Sequence, residues 1–132
     1  MSIKVKGLDG REYSWNLVSY LNNNRNPSSL HLEARELLHT KYPFDQILEE
    51  VNLPGSNLIA DFYIHSKKMI VEVHGQQHYK YNAHFFKTRG DFLQAQKRDK
   101  EKVRWAELNG ITLVALPYNE RENWERIIDE RH

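Results

Sequence analysis

Two short runs, residues 58–64 and 69–73, stand four positions apart and are built from aliphatic, β-branched and aromatic side chains. Each is too short to bury the face of a helix, and that composition suits a pleated, half-buried surface. A hairpin through His65-Ser66-Lys67-Lys68 sets Asp61 opposite Glu72 and Ile59 opposite His74. Side chains alternate faces along a strand. Leu58, Ala60, Phe62 and Ile64 therefore share one face, while Asp61 joins Ile59 and Tyr63 on the other, and Glu72 and His74 share a face with Ile70. Directly opposed residues have Cβ atoms about 4.5 to 5.5 Å apart, so two carboxylates meet on an apolar surface. Like charges at that distance destabilise the pair unless one is protonated or a cation lies between them. A divalent metal answers that demand; a lysine or arginine for each acid, with His74 as a satisfied core histidine, is the plainer answer.

The remaining chain alternates helix and strand signals. Ser28 or Ser29 caps a helix whose Leu30, Ala34, Leu37 and Leu38 form a stripe ending before Pro43. A second helix starts near Asp91 and runs to Asn109, where Gly110 stops it. A third strand covers residues 111–116, and a last amphipathic piece carries Trp124, Ile127 and Ile128. Near the start, Ile3 and Val5 alternate with lysines before the Asp9-Gly10 turn, predicting a hairpin that leads to Trp15. The order predicts an α/β fold, a small mixed β-sheet flanked by helices. One domain is expected over 1–132, with a hairpin extension at 1–26, a core at 27–118 and a C-terminal helix at 119–132.

Composition narrows the classes. With 39% hydrophobic and 28% charged residues the chain belongs among folding sequences. No apolar run approaches a membrane span, and the N-terminus lacks a signal-peptide pattern, so a soluble protein that stays inside the cell is expected. Zero cysteines leave metal binding to Asp, Glu and His. Net charge is only +1, but residues 80–104 hold eight basic side chains against three acids. Lys80, Lys87, Arg89, Lys97, Arg98 and Lys100 within it form a candidate phosphate-binding surface; a merely solvated helix face is the alternative.

Two helical acids complete the set. Glu33 lies at the edge of its helix stripe beside Leu37, within reach of the sheet. Asp99 falls inside the stripe of Phe92, Ala95, Val103 and Ala106 and needs a partner: either a buried ion pair or a histidine that it orients.

Glu33, Asp61, Val73-His74 and Asp99, in that order, resemble the E-D-x-H-D branch of the PD-(D/E)XK nucleases, which includes phage-borne homing endonucleases and is related to very-short-patch repair endonucleases. Ile59-Ala60-Asp61-Phe62 resembles the acidic strand of that branch, residues 71–79 its second strand and exit turn, and Lys97-Arg98-Asp99 its helix motif. The resemblance covers roughly residues 30–118 and implies a restriction-endonuclease-like core. It further implies Asp61 as principal ligand of Mg²⁺, with Mn²⁺ as a substitute, and the Val73 backbone carbonyl as another ligand. Glu33 would act directly or through metal-bound water, and Glu72 keeps the acidic position of the wider signature. His74 stands as general base, His78 as a group at the scissile phosphate or leaving oxygen, and Asp99 as the residue orienting a histidine. These types suit the chemistry: oxygen ligands hold Mg²⁺, the ion activates water, and histidine moves protons near neutral pH.

The repair enzymes carry a cysteine-containing zinc site and an aromatic wedge after His-Gly, where this chain has Gln76 and Gln77 and no cysteine. A homing-type endonuclease of a phage or mobile element, acting on double-stranded DNA in the cytoplasm of a bacterial or phage-infected cell, is the expectation. A homodimer or larger assembly suits cutting both strands, with Tyr13 and Trp15 or the helix of Trp124 as docking patches, unless those aromatics close the monomer's own core. Two other classes remain: a catalytically silent nucleic-acid-binding module, and a metal enzyme using His74, His78 and Asp61 as a two-histidine, one-carboxylate site.

Overall fold

A computed structural model describes residues 2–20, 27–75 and 88–131. Strands β1 (Ser2–Lys6) and β2 (Glu12–Asn16) form the N-terminal hairpin, followed by helix α1 (Ser29–Lys41) and strands β3 (Leu48–Asn52), β4 (Ile59–Ile64) and β5 (Met69–His74). Helix α2 (Arg89–Leu108), strand β6 (Thr112–Pro117) and helix α3 (Trp124–Arg131) complete the described elements. The main sheet has the order β3-β4-β5-β6. The first three strands run antiparallel and β6 lies parallel to β5, so the chain is a mixed α/β protein with a small sheet and helices.

The hairpin register is the expected one: Ile64 pairs with Met69, Tyr63 with Ile70 and Phe62 with Val71. Local sequence sets the helix ends. Ser28 Oγ accepts from the His31 N–H at 3.1 Å, and Thr88 Oγ1 accepts from the Asp91 N–H at 3.1 Å, each satisfying a donor of the first turn. Gly110, at φ +65°, adopts the left-handed conformation that ends α2 at little steric cost.

Each face of the sheet is covered. Phe62, Ile64, Met69, Val71, Val114 and Leu116 pack against Ala34 and Leu38 of α1 and Trp124 and Ile128 of α3. Tyr63, Ile70 and Leu113 pack on the other face against Trp105 and Ala106 of α2 and Val5 and Trp15 of the hairpin. Burial of each such aliphatic or aromatic side chain stabilises the fold by roughly 1.5–3 kcal/mol. Asn109 joins the hairpin to the end of α2, accepting from the Lys6 N–H at 2.7 Å and donating to the Lys6 carbonyl at 2.9 Å.

Two expectations change here. Strand β3 was not foreseen, because Leu48-Glu49-Glu50-Val51 does not alternate: Glu49 is buried and Glu50 takes a left-handed φ of 49°. Trp15 and Trp124 are each only 1% exposed, so both are spent inside the monomer and neither serves as a docking patch.

Candidate metal and phosphate site

The hairpin opens where its two acids face each other. Regular pairing stops at Phe62 and Val71, and beyond it carboxylates replace backbone acceptors. The Asp61 N–H donates to Glu72 Oε2 at 2.7 Å, and the Val73 N–H donates to Asp61 Oδ2 at 2.8 Å. On the other side of β4, the ladder keeps Glu49 with Phe62 and Val51 with Ala60 but skips the intervening pair. Asp61 thus sits at an interruption of both ladders, with its carboxylate fixed by the strand it has parted from.

Strand β5 presents alternate residues to its two neighbours. The carbonyls of Lys68 and His74 accept from the Thr112 and Tyr118 N–H groups on the β6 side. Val73 is out of step with those two, so its N–H and carbonyl both face β4, where Asp61 stands. This is the orientation that the Val73 carbonyl needs to join Asp61 as a ligand.

Glu72 is 2% exposed, and its Oε1 accepts from Lys102 Nζ at 2.6 Å. Burial pushes its carboxyl up to about 7, the Asp61 charge adds to that rise, and the Lys102 ammonium opposes it. Glu72, His74 and Asp99 offer one ligand atom each within 4.8 Å of one another, the group of that kind found among the described residues. The three line a cavity of about 180 Å³ with Lys100, Lys102 and Val103. Asp61, Glu72 and Val73 line an adjoining cavity of about 430 Å³ with Ser28, His31 and Lys102.

The candidate residues divide accordingly. Asp61, Glu72, Val73, His74 and Asp99 converge on these two cavities. Glu33 does not: it is 45% exposed on α1 and pairs with Arg121 at 3.3 Å. The expected stripe faces the core, with Ala34 and Leu38 buried and Leu30 and Leu37 packed against them, and His31 and Arg35 extend the inward face toward Glu49, on the side away from Glu33. Arg89, Lys97, Arg98 and Lys100 are exposed on α2. His78, Lys80 and Lys87 lie outside the described residues.

Two features escaped the sequence reading. Lys102 was counted only within the basic stretch, although it stands three residues after Asp99, on the same side of the helix. The network of His31, Arg35 and Glu49 was missed altogether; its signal was a histidine and an arginine at i and i+4 beside an alanine and a leucine of the buried stripe.

Set beside known proteins, the chain is similar over part of its length to viral proteins. It is 39% identical over 66 residues to Uncharacterized protein 307L of Invertebrate iridescent virus 6, a match covering 50% of this chain and 34% of that protein. It is 33% identical over 92 residues to Uncharacterized protein 033L of Invertebrate iridescent virus 3, covering 66% and 47%. The chain thus spans between a third and a half of the length of these curated relatives. No known family matches it, and no solved structure does. No helix among the described residues is long and apolar enough to cross a membrane.

Proposed function

We propose that this chain is a metal-dependent DNA endonuclease with a restriction-endonuclease-like core, hydrolysing phosphodiester bonds with Mg²⁺ or, in its place, Mn²⁺. The observation that carries the reading is the convergence of Glu72, His74 and Asp99 within 4.8 Å, with Asp61 tied beside them by its own N–H to Glu72 and by the Val73 N–H to its carboxylate. Carboxylate oxygens suit Mg²⁺ and Mn²⁺, and a ring nitrogen is acceptable to Mn²⁺ more readily than to Mg²⁺. The donor set therefore fits a divalent cation of this class. Asp61, Glu72 and the Val73 carbonyl would hold it, and the ion supplies an acidified water and neutralises charge developing on the phosphate.

His74 takes the proton of the attacking water on a ring nitrogen, and Asp99 keeps that ring oriented and basic. The exposed basic side chains of α2, Lys97, Arg98 and Lys100, run beside this opening and bind backbone phosphates without reading sequence. Glu33 contributes little in this reading, being paired to Arg121 at the surface. A homodimer supplies a second active centre for the opposite strand. The iridescent-virus relatives favour a virus-infected host cell as the setting, in place of a phage-infected bacterium.

One observation favours a second reading. Lys102 already neutralises Glu72 at 2.6 Å, as a scaffold ion pair in a silent DNA-binding module would. Incubation of the full chain with supercoiled plasmid, in Mg²⁺, in Mn²⁺ and in chelator, decides between them. Nicked or linear product that requires the metal supports the nuclease; DNA binding with intact plasmid in every condition supports the silent module.

A further inference from the structure

Of the basic residues along α2, Lys102 is treated differently. Lys97, Arg98, Lys100 and Arg104 are exposed, whereas the Lys102 side chain is 16% exposed and its ammonium lies against the buried oxygen of Glu72. It also borders three cavities around the open end of the hairpin. It lines the one with Glu72, His74 and Asp99, the one with Asp61 and Val73, and a third of about 290 Å³ with Ile59, Arg98 and Asp99. An ammonium stands where the carboxylates of the proposed cation site converge.

Burying an ionised carboxylate costs free energy unless a positive charge accompanies it. Lys102 supplies that charge to Glu72 in the cation-free chain. A divalent ion held by Glu72 together with Asp61 would supply it again, at the same carboxylate, and two cations repel strongly where water is excluded. We propose that Lys102 is a positioning residue that acts as an exchangeable counter-ion: it holds the Glu72 carboxylate in place until a divalent cation binds, and is then displaced toward the cavity that His74 and Asp99 line. The inference rests on the cation-site half of the proposed function and adds to it that metal and ammonium compete for one carboxylate.

Calorimetric titration of the full chain with Mn²⁺ at fixed pH tests this on the wild type, Lys102→Met and Lys102→Arg. Methionine keeps the aliphatic stem and removes the competitor, so Mn²⁺ binds about tenfold tighter, within the usual range of coupling between two ligands. Arginine restores the competitor and brings the affinity back toward the wild-type value. Equal or weaker Mn²⁺ binding in Lys102→Met overturns the inference. Should that variant fail to fold, amine acylation of the wild type followed by peptide mass mapping gives an independent answer. Labelling of Lys102 rises with Mn²⁺ relative to Lys97 and Lys100 if the ammonium is displaced, and an unchanged ratio overturns the proposal. A wild type that binds no Mn²⁺ overturns it together with the cation site. Plasmid cleavage in the same preparations separates the two ideas: competition without cleavage removes the nuclease and leaves Lys102 as described, and cleavage without competition does the reverse.

Discussion

Glu49 and Glu72 are both buried glutamates, on the two strands that flank β4, yet the fold surrounds them with opposite kinds of neighbour. Glu49 faces α1 and receives a fork from Arg35, Nε to Oε2 and a terminal nitrogen to Oε1 at 2.9 Å each, together with His31 Nε2 at 2.7 Å. His31 in turn stacks on Phe62 with ring centroids 4.3 Å apart. Glu72 faces α2, receives one ammonium, and has a second carboxylate, Asp61, at its side. A buried acid matched by a bidentate arginine is complete as it stands. One crowded by other acids has capacity left for a cation, which is why the functional reading attaches to Glu72 and the scaffold reading to Glu49.

The largest expected effect separates the two directly. Asp61→Asn keeps an acceptor for the Val73 N–H while removing the charge, and should abolish metal-dependent cleavage with DNA binding retained in a mobility-shift assay. His74→Ala should lower the cleavage rate by about 10² or more, the usual size of a general acid–base contribution. A drop below tenfold would make His74 a structural residue and erase the contrast with the Glu49 side.

Next in size comes the scaffold pair. Glu49→Ala leaves Arg35 and His31 without their partner in a mostly buried site, and should cost about 3 kcal/mol in urea denaturation. Cleavage at low temperature should stay at the wild-type level. Loss of activity from the folded variant would show that the α1 face takes part in the chemistry after all.

A pH measurement sharpens the comparison from the other side. Because the Glu72 carboxyl is raised from 4.5 to about 7 in the fold, the folded chain keeps a proton that the unfolded chain has lost across that window. Stability from this group is complete below about pH 4.5 and is lost as pH rises through about 7, by on the order of a few kcal/mol. Glu72→Gln cannot ionise, so its unfolding free energy should lack this decline. Parallel slopes for wild type and variant between about pH 5 and pH 8 would show that Glu72 is already fully compensated, as Glu49 is.

The smallest effect belongs to Glu33. Its exposed pair with Arg121 contributes roughly 0.2–1 kcal/mol at most, so Glu33→Gln should leave both stability and cleavage close to wild type. A loss of cleavage on the scale of Asp61→Asn would return Glu33 to the metal site and require α1 to turn when DNA binds.

By itself the sequence determined what depends on neighbours along the chain. Strand parity and a four-residue turn fixed the hairpin register, and so the meeting of Asp61 with Glu72 and the shared face of Glu72 and His74. The capping Ser28 and the stop signal Gly110 each marked a helix end, and the alternation of elements gave a mixed α/β sheet. Only the tertiary structure decided how each helix is turned about its own axis. The apolar stripe of α2 pointed to Val103, which is 41% exposed, while Lys102 turns inward because Glu72 waits there. The stripe of α1 left Glu33 at its edge, and Glu49 on β3, a strand whose sequence does not alternate, draws His31 and Arg35 inward on the other flank and leaves Glu33 half-exposed. A strand residue has two faces and its parity selects one. A helix residue lies on a continuous circle, and where a residue at the edge of the apolar stripe points is settled by the buried charges that the opposing sheet presents.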